Sequence, residues 1–173
     1  MSDLARAHLR AFLNRDGREL RALQRRNPRW SPSEDFGHVV SVFELAVYAR
    51  FGERPDPEAL RAFLTEALED AARSRPPVRP LAVQSAVEEA YSLPDDEEHR
   101  DPPDLRAREE RRTAIWFALE RLVPADPAAI ERLLANAAEF GDACTEYGAE
   151  LAGTFGTPAA YAIRSGLARW RDS

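Results

Sequence analysis

The chain has 173 residues, 44% of them hydrophobic and 31% charged, with a net charge of −6 and one cysteine. A chain of this length buries roughly 70% of its unfolded surface in a single core. The lone Cys144 excludes an internal disulfide framework and suits a reducing compartment. All 24 basic residues are arginine, which removes Schiff-base and phosphate-loop lysines from consideration.

The first thirty residues predict a basic helical hairpin. Ser2 caps a helix to about Asn14, with Leu4, His8, Ala11 and Phe12 at helical spacing. Asp16-Gly17 marks a break, Leu20 and Leu23 continue the apolar stripe, and Asn27-Pro28 ends it. Eight arginines stand here against three carboxylates, a balance of +5, so the remaining residues carry −11. Arg18, Arg21, Arg25, Arg26 and Arg29 are the candidate contacts to nucleic acid. Against that reading, the acidic body and a pI near 5.2 oppose phosphate binding.

Ser31–Gly52 predicts the central helix. Ser31, Pro32 and Glu34 form a helix start with a capping box, and Gly52 suits the left-handed residue that ends a helix. Apolar residues from Phe36 to Phe51 cover more than one face, which calls for neighbours on several sides. Trp30, just before this helix, is expected to pack at its entry. On its wetter side His38, Ser41, Glu44 and Tyr48 fall within about 120° at 100° per residue. That strip is the candidate small-molecule site, with His38 as acid or base. The simpler reading of the same strip is the wetter side of a mostly buried helix.

Asp56-Pro57 starts the next helix, with a stripe through Leu60, Phe63, Leu64, Ala67 and Ala71. Pro76, Pro77 and Pro80 end it, and a helix follows from Leu81 to Leu93. Residues 94–103, with four consecutive acids and no apolar side chain, read as a linker. A long helix then runs to about Val123, with a charged, exposed first half and a buried second half. Asp126-Pro127 begins another, whose stripe reaches Cys144 and Tyr147 and holds Gly141, a candidate bend. Gly148, Gly153 and Gly156 read as a loop, and Thr157-Pro158 starts the last helix, which ends near Trp170.

The fold class expected is all-α: a helical bundle or short solenoid of seven or eight helices. DPEALRAFLTEA at 56–67 and DPAAIERLLANA at 126–137 repeat with a period of 70. That spacing suggests two duplicated three-helix units, 31–93 and 104–173, after a hairpin at 1–30 and joined by the 94–103 linker, all one domain.

Catalytic and cofactor signals are weak. No Gly-x-Gly-x-x-Gly, phosphate loop, Cys-x-x-Cys, Gly-x-Ser-x-Gly or His-Glu-x-x-His occurs. Glu34 with His38, and Asp96 with His99, have metal-ligand spacing but lack the further ligands a site needs. Neither a metal nor a cofactor is therefore expected. The chain reads as a non-enzymatic interaction module: an adaptor, an immunity or antitoxin-like protein, or a regulatory subunit of an intracellular bacterial system. Its expected partner is another protein, with a homodimer next. The alternatives are a small-molecule-binding sensor built on the His38 strip and nucleic-acid association through the arginine-rich start. No eighteen-residue apolar run exists, so a cytoplasmic protein without membrane contact is the expectation.

Overall fold

A computed structural model of the chain describes residues 1–28, 36–52, 56–74, 77–90 and 105–151, with 140–151 as backbone alone. These residues form seven helices and no strand: α1 (Asp3–Leu13), α2 (Gly17–Arg26), α3 (Phe36–Phe51), α4 (Pro57–Arg73), α5 (Pro80–Glu89), α6 (Leu105–Leu122) and α7 (Pro127–Leu151). The architecture is a helical bundle. No helix among the described residues is long and apolar enough to cross a membrane.

Several helix ends follow directly from local chemistry. The Ser2 hydroxyl accepts from the Ala5 amide at 3.2 Å and opens α1. Asp56 accepts from the Glu58 amide and Asp126 from the Ala128 amide, both at 3.1 Å. Each aspartate therefore satisfies a donor that the first turn leaves free, ahead of a proline whose missing N–H costs nothing there. Gly52 closes α3 with φ 72° and donates to the Tyr48 carbonyl at 2.8 Å. The capping box proposed at Ser31 to Glu34 lies outside the described residues, as do Trp30, the 94–103 linker and the helix expected after Pro158.

Four expectations need correcting. The break between α1 and α2 covers residues 14–16, so it includes Asp16 but turns at Arg15 and leaves out Gly17. Arg15 takes the left-handed conformation, φ 57°. Asp16 instead caps α2 through the Arg18 and Glu19 amides at 3.0 and 2.9 Å, which leaves Gly17 an ordinary first helical residue. The helix expected to Leu93 ends at Glu89, with Ala90 as its C-cap. Gly148 does not begin a loop, because α7 runs through both Gly141 and Gly148 to Leu151. A single glycine costs about 1 kcal/mol in a helix and does not by itself stop one.

Finally, the charged first half of α6 is exposed at Arg106, Arg108 and Glu109 but half-buried at Glu110, Arg111 and Arg112. Its Glu110 receives Arg79 at 3.1 Å, and its Arg111 donates to Glu89 at 2.8 Å. Both pairs tie α6 to α5.

The core centres on α3 and α6, which pack on each other. Val42, Phe43 and Val47 of α3 and Ile115, Ala118 and Leu119 of α6 are buried. α3 is apolar nearly all round because α7 covers a further side of it, while α5 packs on α4 and α6. Two pairs of sequence neighbours, α3 with α4 and α6 with α7, make little contact. α3 meets α4 at their corner, where Phe51 stacks edge-on against Phe63 with centroids 5.4 Å apart and the Arg50 guanidinium sits 5.3 Å from the Phe63 centroid.

Candidate interaction face

The basic hairpin divides into two halves with different fates. α1 is bound to the body. It packs on α7, α6 and α2, with Ala5, Leu9, Ala11 and Leu13 buried. Phe12 meets Trp116 of α6 edge-to-face at 4.6 Å between centroids. His8 is buried with this face, and its Nδ1 donates to the Leu4 carbonyl at 2.9 Å. A carbonyl only accepts, so that nitrogen carries the proton.

Two arginines one turn apart on α1 clasp a single carboxylate of α7. Arg10 donates from Nε to Glu131 Oε1 and from Nη2 to Oε2, the latter at 3.0 Å. Arg6 Nη2 donates to the same Oε2 at 3.3 Å. These hydrogen bonds to Arg10, then those to Arg6, hold the Glu131 carboxyl below its ordinary range. They hold the Arg10 guanidinium above its own. Arg15 completes the tether by donating to the Glu120 carbonyl at 3.3 Å, near the C-terminal end of α6.

α2 is held differently. It packs chiefly on α1, and its one fully buried residue is Leu23, with Leu20 and Ala22 half-buried. At 100° per residue, Arg18, Arg21 and Arg25 share an arc of about 60°. Leu20 and Leu23 lie opposite them, and Arg26 stands beside the arc. All four arginines are exposed, and none has an ion-pair partner among the described residues. Arg50, Arg61 and Arg132 are likewise exposed without an ion pair among the described residues, but they stand singly on α3, α4 and α7. Arg6, Arg10, Arg73, Arg79, Arg106, Arg111, Arg112 and Arg121 all form ion pairs. The fifth candidate, Arg29, lies outside the described residues.

The strip on α3 is a different kind of place. Tyr48 is buried in the core, while His38, Ser41 and Glu44 are half-buried. The Ser41 hydroxyl donates to the Gly37 carbonyl at 3.2 Å, within its own helix. Burial pushes the Glu44 carboxyl up to about 7 against the opposing pull of Arg111. Helical spacing on α3 alone did not reveal that pull, which comes from an α6 arginine paired with Glu89 of α5.

A shallow, open depression lies instead on α4, lined by Glu58, Arg61, Ala62, Thr65, Glu66 and Glu69. No group of three or more metal-ligating side chains is brought together among the described residues. Glu34, Asp96, His99 and the side chain of Cys144 lie outside them. Compared with protein families, curated proteins and solved structures, the chain matches none of them.

Proposed function

We propose that this chain is a non-enzymatic interaction module and that α2 is its docking element. The observation that supports this is the segregation of free cations. The protein neutralises eight arginines against its own carboxylates, yet it gathers on one helix four exposed arginines that have no ion pair among the described residues. Leaving guanidiniums in water is inexpensive, but four on one helix repel one another and give an anionic surface a local target. α1 supplies the rigidity: anchored by Phe12, the Glu131 clasp and the Arg15 tether, it presents α2 at the edge of the bundle.

The test is purification of the tagged chain from its own cells beside the Arg21→Glu/Arg25→Glu variant. A stoichiometric companion protein with the unaltered chain, lost with the variant, is the expected result. A companion retained equally by both, or none with either, would rule out α2 as the docking element.

A further inference from the structure

Building on α2 as the docking element, we infer that its arginine ridge recognises an acidic helical face of a partner protein. The ridge is straight and short. Arg18 to Arg25 spans seven residues, about 10 Å of helix axis. Its steps of three and four residues are those at which another helix repeats its own carboxylates, so two helices lying side by side bring the charges into register. Ala22, half-buried beside the ridge, leaves room for a partner backbone between the arginine stems.

The protein already uses this chemistry internally. The Arg6 and Arg10 pair on α1 closes on Glu131 of α7, Arg111 of α6 on Glu89 of α5, and Arg121 of α6 on Asp70 of α4. Every one is a helix-to-helix arginine–carboxylate contact. The planar guanidinium fork suits the two oxygens of a carboxylate.

A nucleic acid fits the same ridge less well. Where a helical corner reads DNA, the N-terminal residues of its second helix meet the base edges. Here Asp16 and Glu19 flank Arg18 at that end and oppose its attraction for phosphate. The cations concentrate at the other end, in Arg21, Arg25 and Arg26. The ridge also carries no aromatic side chain on which an unpaired base would stack. A long polyanion would feel the net charge of −6 over many phosphates, whereas a single acidic helix meets only the local cations.

Binding is measured by fluorescence anisotropy on the full chain with three labelled probes: a synthetic helical peptide with glutamates at i, i+4 and i+7 on one face, a DNA duplex, and poly(U). The peptide should bind saturably and weaken with salt. Arg18→Glu/Arg21→Glu/Arg25→Glu should reduce its affinity about tenfold, as expected for losing two or three exposed ion pairs. The milder Arg21→Gln/Arg25→Gln should give a smaller loss. Replacing the peptide's glutamates by arginines should restore binding to the glutamate variant.

If the duplex or poly(U) binds more tightly than the peptide and is lost with the same variants, the partner class is wrong while α2 stands as the docking element. If no probe binds α2 but a companion from the cells still depends on it, the acidic-helix inference alone falls. If neither the probes nor the cellular companion depends on α2, both readings fall.

Discussion

At the scale of single residues, the chain shows arginine in two settings that its sequence spacing does not distinguish. Arg6 and Arg10 are spaced like Arg21 and Arg25, four residues apart, yet the first pair closes on Glu131 and the second has no ion pair among the described residues. Glu44 shows a related conflict between a residue and its surroundings. Its carboxyl sits on the central helix, pushed by burial up to about 7, with Arg111 only partly offsetting that cost. An unfolded glutamate titrates near 4.5, so between about 4.5 and 7 the folded state holds a proton that the unfolded state has released. The folded state then binds more protons, and stability falls as pH rises through that window. The full shift corresponds to about 3 kcal/mol, and residual contact with water lowers it toward 2. Glu44→Gln, which keeps the shape without the charge, should raise stability at pH 8 by about 2 kcal/mol and leave pH 4.5 nearly unchanged. Urea unfolding at both pH values measures this. Equal effects at the two would mean that Glu44 ionises freely in the fold.

Elements inherit their behaviour from how many neighbours hold them. α3, α6 and α1 each pack on two or more helices, while α2 packs chiefly on α1 with one fully buried side chain. Local opening takes place where little apolar surface must be exposed. Amides of α2 should therefore exchange with solvent at free energies well below those of α3 and α6, by native-state hydrogen exchange. Protection of α2 equal to that of α3 would mean that more than Leu23 and its two half-buried neighbours holds it.

The same distinction separates what was legible in the sequence from what was not. The helices at 3–13, 57–73 and 127–151 announce themselves through Ser2, Asp56-Pro57 and Asp126-Pro127, because caps act over three residues and their chemistry is local. The multi-sided apolar pattern of α3 likewise implies its central place. The turn at Arg15 was missed because a left-handed arginine is uncommon and Asp16-Gly17 is the stronger local signal. The half-buried charges of α6 were missed because Arg79–Glu110 and Arg111–Glu89 join residues 31 and 22 positions apart. Of the candidate site, the excess of arginines was visible in the sequence. Which of them stay free was not, since Arg6 and Arg10 find their partner 125 and 121 residues away.

For the whole molecule the decisive fact is that the two central helices, α3 and α6, pack on helices distant in sequence and scarcely on the helix that follows each of them. α3 packs on α6 and α7, and α6 packs on α3, α5 and α4, while α3 with α4 and α6 with α7 make little contact. The repeated Asp-Pro segments start α4 and α7, and α3 and α6 precede them. In the duplication reading, each unit's first helix therefore packs on the other unit's second helix, and the two units complete one core between them. Leu119 and Ile115 of the second unit are buried in the same cluster as Val42, Phe43 and Val47 of the first. A unit removed from that arrangement would expose the whole inner face of its first helix, several buried side chains at roughly 1.5–3 kcal/mol each, against a total stability of about 5–15 kcal/mol for a domain. Neither unit can then outlast the other. Urea unfolding should be a single transition, with far-ultraviolet circular dichroism and tryptophan fluorescence tracing the same curve. Trp116 reports from the α1–α6 contact, so its signal should disappear together with the helices. Two separated transitions would show that the units hold their own cores and that the crossed packing contributes little to stability.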